Sequence, residues 1–229
     1  MSTELDSITF VCTANMCRSP IAEHIFRIEA GPWIAKLEVP LEINSRGTHA
    51  HPGEVRCDVA SLNFSISDPG VSSAFAKDDV QTRGLVLTME QMHVAYLVRE
   101  FPKLRNRIFT LAQAVEILEH IYDGIVDGSL FVSADPELAA GFVAPPLPPD
   151  ITNRWKWILD ELDANRGFIS STNSILTSGD FDIGDAHVSD GPTHELSLDL
   201  VKENATELAR LLELILSFSD IAAPVTSEV

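Results

Sequence analysis

The sequence is poor in basic residues, and this shortage excludes one large class of functions. Sixteen Lys and Arg stand against 34 Asp and Glu in 229 residues, which gives a formal net charge of −18. Binding along nucleic acid requires a basic face that neutralises successive phosphates. We therefore expect no nucleic-acid partner, although a small phosphate-binding pocket is compatible with this charge.

Cysteines and long apolar runs are also scarce. Cys12, Cys17 and Cys57 are the only cysteines and form no C-x-x-C pair, so the pattern predicts neither a disulfide framework nor a zinc site. No apolar stretch approaches the roughly 20 residues that span a bilayer, and residues 1–7 lack the basic and apolar regions of a signal peptide. We expect a cytoplasmic protein with no membrane partner, and the sequence leaves its oligomeric state open.

Apolar residues are abundant enough for a packed core. They make up 45% of the chain, and the length favours one enlarged domain spanning residues 1–229. Four short runs that favour strands alternate with segments of helical periodicity, which predicts a mainly parallel sheet with helices on both faces. These strands are predicted at Ile8–Val11, Val39–Ile43, Gly84–Met89 and Arg107–Leu111.

The long stretch between the fourth strand and the last helix is predicted to be an insertion. It covers residues 112–182 and contains its own apolar helical stripe, formed by Trp155, Ile158, Leu159 and Leu162. The last helix is predicted from a second stripe, formed by Val201, Ala205, Leu208, Leu212 and Ile215. We therefore expect a mostly helical insertion before the last helix of a single domain.

Cys12 and Arg18, separated by five residues, form the most informative motif. They lie between the first strand and a helix start predicted from Ser19 as N-cap and Pro20 as the first helical residue. A loop in this place can turn several backbone N–H groups inward, and the helix dipole adds to them, which suits a phosphoryl dianion. Arg18 can bind that dianion in bidentate fashion, and the same field favours the thiolate of Cys12, which makes it a nucleophile.

The residues around this motif resemble those of a known family. Val11–Pro20 matches V-C-x-x-N-x-C-R-S-P, the signature of the low-molecular-weight protein tyrosine phosphatases. Ser45–Thr48 is similar to the family's S-A-G-T turn, and Leu85–Glu90 to its third strand, which ends in Met and an acid. The resemblance covers roughly two-thirds of the chain, with the insertion excluded. It implies a three-layer α/β/α fold with a four-stranded parallel sheet.

The resemblance also implies a mechanism and a role for each loop residue. Cys12 would attack phosphorus to form a phosphocysteine intermediate, Arg18 would bind the equatorial oxygens, Ser19 would hydrogen-bond the thiolate, and Asn15 would hold the loop in shape. The substrate would be a phosphotyrosine protein or a small phosphate ester, with no cofactor and no metal. The predicted phosphate-binding residues are Thr13, Ala14, Asn15, Met16, Cys17 and Ser19.

A proton donor for the leaving group is expected before the last helix. In the family this donor is the Asp of an Asp-Pro pair, and Asp185 aligns with it, although Ala186 replaces the Pro and His187 and Val188 replace the usual aromatic residues. Losing Pro removes a fixed φ, so the loop is expected to be looser. Because the aromatic residues that usually flank a phosphotyrosyl ring are also replaced, tyrosine specificity is open. Asp182 and Asp190 are the alternative donors.

Two other functions and one redox feature stay open. Arsenate also fits a phosphate loop, so an arsenate reductase on this fold is the first alternative, but Cys57 is the only cysteine outside the loop that could pass on the oxidising equivalent. A phospho-ligand binding protein without turnover is the second alternative.

The resemblance further implies a reversible disulfide between Cys12 and Cys17. His49 and His51 are interpreted as loop histidines rather than metal ligands.

Overall fold

A computed structural model places four parallel strands in one sheet. The described residues are 6–37, 40–58, 64–79, 83–128, 130, 147–167, 181–188 and 191–218. The strands are β1 (Asp6–Cys12), β2 (Leu41–Gly47), β3 (Arg83–Thr88) and β4 (Ile108–Thr110), in the spatial order β2-β1-β3-β4. Within β1, Ile8 lies opposite Ile43 on one side and Leu85 on the other. The predicted four-stranded parallel sheet is confirmed.

Within the described ranges, five helices connect and cover the strands. They are α1 (Arg18–Ile34), α2 (Gln91–Glu100), α3 (Leu111–Asp127), α4 (Ile151–Ala164) and α5 (His194–Ser217). Shorter 3₁₀ segments span Lys77–Asp79, Pro102–Arg107 and Asn165–Gly167. Three of the helices begin at a side-chain cap, in which the residue before the helix accepts a hydrogen bond from a first-turn amide. These caps are Thr110, Asp150 and Thr193.

The strands alternate their side chains between two hydrophobic clusters, so the sheet is the middle of three layers. Ile8 and Phe10 of β1 pack into a large cluster with α1, α3, α4 and α5, whereas Val11 packs into a smaller cluster with Leu97 of α2. Every residue of β1 is buried. The predicted three-layer α/β/α fold is thereby confirmed.

The second strand differs most from its sequence prediction. It runs from Leu41 to Gly47, whereas the sequence predicted Val39–Ile43 followed by a break. The residues that the sequence predicted as a break belong to the strand, because the pairing with β1 continues to Gly47. The buried hydroxyl of Ser45 is satisfied by donating a hydrogen bond to Glu23 at 2.6 Å. The other predicted strands differ from the observed ones by one or two residues at their ends.

The first helix begins earlier than predicted. Its first residue is Arg18 and its N-cap position is Cys17, so Ser19 lies inside the first turn and is not the cap. The hydroxyl of Ser19 instead contacts Cys12, as described below. Ser19, which the sequence predicted as the N-cap, is therefore a residue of the candidate active site.

The stretch predicted as an insertion contains two of the helices. α3 packs against α5, and Trp155, Ile158, Leu159 and Leu162 of α4 are buried as their stripe predicted. Residues 131–146 and 168–180 lie outside the described residues, so the bounds of the insertion and the single-domain interpretation stay predictions. None of the described helices has the length and apolarity needed to cross a membrane.

Candidate active site

The segment from Cys12 to Arg18 forms a loop at the carboxyl end of the central strand, held in place by its carbonyl groups. The carbonyls of Cys12, Thr13 and Met16 accept from the amides of Thr48, His49 and Cys57 at 2.8–3.1 Å. Among the described residues, no amide from Thr13 to Cys17 donates to a backbone carbonyl. This arrangement suits a loop whose N–H groups face a bound anion.

Gly47 lets the loop approach the end of β2. A Cβ atom built on Gly47 would lie 2.7 Å from the carbonyl oxygen of Thr13 and 2.9 Å from the carbonyl carbon of Ala14. Real Cβ atoms do not come this close to backbone atoms, so a side chain at this position would push the loop away. The family-like turn at Ser45–Thr48 therefore has a steric reason for its glycine.

Ser19 contacts the thiol of Cys12 and is itself held by Asn15. The Sγ atom of Cys12 lies 3.1 Å from the Oγ atom of Ser19. The same hydroxyl accepts from the Asn15 side-chain amide at 3.0 Å and can donate to the Arg46 carbonyl at 3.2 Å. Because Asn15 already supplies a donor to this oxygen, the Ser19 proton is available to a thiolate.

Asn15 holds the loop in an uncommon backbone conformation. Its φ angle is +56°, in the left-handed region that Asn tolerates better than most residues. Its buried side-chain oxygen accepts from the amide of Ser73 at 2.9 Å and from the guanidinium of Arg56 at 3.0 Å. The sequence predicted Asn15 as a loop-shaping residue but gave no signal for Arg56.

Arg18 is buried and its guanidinium is held by two carboxylates. It is 4% exposed, pairs with Glu90 just after β3, and donates to the carboxylate of Asp185 at 2.7 Å. It also donates to the carbonyl of Ile183 at 2.7 Å. A guanidinium this deeply buried requires such partners, since its desolvation is otherwise costly. The sequence noted Glu90 only as the acid at the end of the third strand.

The loop that carries Asp185 is anchored on both sides. Ile183 donates to the carbonyl of Met89 at 2.8 Å, and the carbonyl of Gly184 accepts from Ser197 of α5 at 2.8 Å. Asp182 caps the start of α2 by accepting from the Gln91 amide at 2.7 Å. Burial raises the pKa of Asp182, partly opposed by that amide and by Arg18. Asp190 lies outside the described residues.

Comparison with known proteins identifies the family. Residues 7–124 match the family described as low molecular weight phosphotyrosine protein phosphatase, and this segment contains the loop, Arg18 and Glu90. The chain belongs to this family. It is therefore a cysteine-based phosphatase, and the predicted family and enzyme class are confirmed.

Curated relatives and solved structures agree with this assignment. The phosphatase is 35% identical over 119 residues to the low molecular weight protein-tyrosine-phosphatase PtpB of Staphylococcus haemolyticus, a match that covers 51% of this chain and 79% of that protein. It is 33% identical over 112 residues to a protein-arginine-phosphatase of Bacillus subtilis, covering 47% and 71%. YfkJ from Bacillus subtilis shares the fold with a TM-score of 0.54 and 17% identity, covering 93% of this chain and 98% of that one.

The neutral side chain of His93 supports the loop of the phosphatase from the α2 side. Its Nδ1 atom accepts from the Glu90 amide at 3.1 Å, so the ring proton is on Nε2, which lies 2.9 Å from the hydroxyl of Thr13. Burial, with a further effect of Arg18, lowers the pKa of His93 from 6.5 to about 3. The sequence gave no signal for His93, because its contact with Thr13 joins residues 80 apart.

We expect His93 to make the phosphatase sensitive to acid. In the unfolded chain His93 binds a proton below about pH 6.5, whereas in the folded chain it stays neutral down to about pH 3. The free energy of unfolding therefore decreases as the pH drops from 6.5 to 3. Denaturant unfolding from pH 7 to pH 4 should show a steeper loss in the wild type than in His93→Gln, by up to about 1.4 kcal/mol per pH unit. Equal slopes would contradict a neutral buried imidazole.

A group of cysteine and histidine side chains lies beside the loop and was missed by the sequence analysis. Cys17, predicted as a phosphate-binding residue, contacts Cys57, His187 and His194. Burial raises the pKa of the Cys17 thiol far above its ordinary value, and the neighbouring Cys57, Cys12 and Asp185 act in the same direction. None of the three cysteines forms a disulfide, so the predicted bond between Cys12 and Cys17 stays a prediction.

Proposed function

We propose that the phosphatase hydrolyses phosphomonoesters with Cys12 as nucleophile and Asp185 as general acid. The observation that carries this proposal is the placement of Cys12 Sγ, 3.1 Å from Ser19 Oγ, in a loop closed by the buried Arg18. The pairing of Arg18 with Asp185 at 2.7 Å further supports Asp185 over Asp182, since it brings the former carboxylate to the phosphate-binding group.

In the first step the thiolate of Cys12 attacks phosphorus and the bond to the leaving oxygen breaks. The leaving oxygen takes the proton of Asp185, so no free alkoxide or phenoxide forms. Arg18 and the loop amides stabilise the charge on the equatorial oxygens as it develops. The product of this step is a phosphocysteine and a free alcohol or phenol.

In the second step a water molecule attacks phosphorus of the phosphocysteine and the P–S bond breaks. The carboxylate of Asp185, now ionised, takes a proton from that water, and inorganic phosphate forms. The thiolate of Cys12 leaves, stabilised by the hydroxyl of Ser19, which turns its proton from the Arg46 carbonyl to sulfur. The catalytic cycle needs no external oxidant or reductant.

An aromatic pair at the rim supports an aryl substrate such as phosphotyrosine. The ring of His49 lies 4.7 Å from the ring of Tyr96, between centroids, and the His49 amide donates to Thr13 directly after the nucleophile. Such a pair can contact the ring of a phosphotyrosyl side chain. Relatives named for tyrosine and for arginine phosphatase are both known, so phosphoarginine, whose leaving group is a guanidino nitrogen, is the competing substrate.

Rapid-mixing kinetics test this proposal. With excess p-nitrophenyl phosphate we expect a burst of nitrophenol of about one equivalent per enzyme, because nitrophenol is a good leaving group and formation of the phosphocysteine should be faster than its hydrolysis. Mass spectrometry after acid quench should find the phosphoryl group on Cys12. A phosphotyrosine peptide should be hydrolysed faster than the same peptide with phosphoarginine; the reverse order would replace the aryl proposal.

The same experiment, with one further assay, distinguishes the remaining alternatives. A phospho-ligand binding protein would bind phosphate without a burst. An arsenate reductase would instead require arsenate-dependent thiol oxidation, which a separate assay with arsenate measures.

We also propose that the protein works in the reducing cytoplasm, which is supported by the three cysteines, none of which is in a disulfide.

A further inference from the structure

Three side chains from separate segments bring their ligand atoms to one small space beside the active site. The Nε2 atoms of His187 and His194 are 3.1 Å apart, and Cys17 Sγ lies 3.5 Å and 3.9 Å from them. These three ligand atoms all lie within 4.8 Å of one another. Cys57 Sγ lies at the edge of this group, 4.0 Å from His194 Nε2 and in contact with Cys17.

The three distances among Cys17, His187 and His194 are close to the edges of a tetrahedral metal site, and Cys57 needs only a small shift to become the fourth ligand. With zinc bonds of about 2.05 Å to nitrogen and 2.3 Å to sulfur, the ligand atoms of a tetrahedron are about 3.3 Å apart for two nitrogens and about 3.6 Å apart for nitrogen and sulfur. We propose that Cys17, Cys57, His187 and His194 bind one Zn²⁺ ion. The two thiols lose their protons on binding, so two thiolates balance the charge of the ion.

Hydrogen bonding alone explains this convergence less well. Two neutral imidazoles that face each other through Nε2 share one proton, and the two thiols then offer only weak donors to the same space. A soft divalent cation accepts an electron pair from all four atoms at once. Cys₂His₂ is also the donor set of many structural zinc sites, in which no position is left for water.

The proposed ion joins the phosphate loop to the acid loop. Cys17 belongs to the first, and His187 belongs to the second, two residues after Asp185, whose carboxylate accepts from the His187 amide at 2.9 Å. His194 begins α5 and Cys57 follows β2. The sequence predicted a looser acid loop because Ala186 replaces the family's Pro. The zinc site would restrain this loop where the proline is missing, and would keep Cys17 from pairing with Cys12.

Metal analysis of the purified full chain tests the site independently of turnover. We expect about one equivalent of zinc after dialysis against a weak chelator, and replacement by Co²⁺ should give the visible absorption of tetrahedral thiolate coordination. His187→Ala and Cys57→Ser should lose this metal. His187 is exposed, so its variant is expected to fold, which circular dichroism checks.

Two control variants locate the ion. His51→Ala changes an exposed histidine outside the cluster and should retain the metal. Cys12→Ser should also retain it, because the nucleophile is not a ligand in this proposal. Loss of the metal in Cys12→Ser would place it at the catalytic thiol and overturn the proposal. So would a wild-type chain that binds neither Zn²⁺ nor Co²⁺, or a His187→Ala chain with the wild-type cobalt spectrum.

Removing the metal should also affect the acid step. Relative to the wild type, His187→Ala should lower kcat/KM more for phenyl phosphate than for a dinitrophenyl phosphate, since only the poor leaving group needs a positioned acid in the first step. An equal loss on both substrates would show that the metal supports the fold in general and does not position Asp185.

Discussion

Cys12→Ser is expected to lower kcat/KM for p-nitrophenyl phosphate by at least about 10⁴-fold, because it removes the proposed nucleophile. Among the described residues, the hydrogen bond of the Cys12 side chain is the one to Ser19, and that hydroxyl removes no proton from the introduced serine at neutral pH. The oxygen is also far less ionised than a thiol in the same field. Steady-state hydrolysis with the purified variant measures the loss.

The control for this experiment is phosphate binding. Cys12→Ser leaves the loop amides, Arg18 and the turn at Gly47 in place, so calorimetric binding of inorganic phosphate should persist. Lost binding would mean that the loop had collapsed, and a second variant, Cys12→Ala, would then be used. Turnover within tenfold of the wild type, with phosphate binding intact, would rule out Cys12 as the nucleophile.

Asp185→Asn is expected to slow hydrolysis of phenyl phosphate by about 10²- to 10⁴-fold, because the amide has no proton to give to the leaving oxygen. For a dinitrophenyl ester the loss in kcat/KM should be small, since that phenoxide leaves without protonation and kcat/KM reports only the steps up to its departure. The slope of log kcat/KM against the acidity of the leaving phenol should therefore be steeper in the variant. A series of substituted phenyl phosphates measures this slope.

Asp182→Asn is the matched control for the acid. Its carboxylate lies three residues away and caps α2 through the Gln91 amide, so its loss should affect good and poor leaving groups equally. If the slope became steep in Asp182→Asn and stayed unaltered in Asp185→Asn, Asp182 and not Asp185 would be the proton donor. Asp190 is tested in the same series, because the sequence alone leaves it as a third donor.

The sequence predicted the features that depend on neighbouring residues. The run at Ile8–Val11 predicted β1 because a strand buried on both faces is continuously apolar. The loop from Cys12 to Arg18 was predictable because the groups proposed to bind phosphate are backbone amides and one nearby side chain. The stripe of α5 was visible because helical periodicity is itself local.

Features that depend on distant contacts were not predictable in the same way. β2 was cut short in the prediction because Asn44 and Ser45 are polar, whereas Ser45 is compensated by Glu23 of α1. The pairing of Glu90 with Arg18 joins residues 72 apart, and no spacing pattern connects them. The cysteine and histidine cluster spans up to 177 residues, so a search for closely spaced ligands does not find it.

The ion pair between Arg18 and Asp185 has a consequence for how the enzyme takes up its substrate. The guanidinium is occupied before phosphate arrives, by an anion tethered to the protein itself. In the proposed mechanism an incoming ester displaces that anion, which a dianion does more readily than chloride or a carboxylate. The Asp185 side chain is then no longer held by Arg18 and can turn to the leaving-group oxygen of the bound ester. Substrate entry itself would thus release the proposed proton donor.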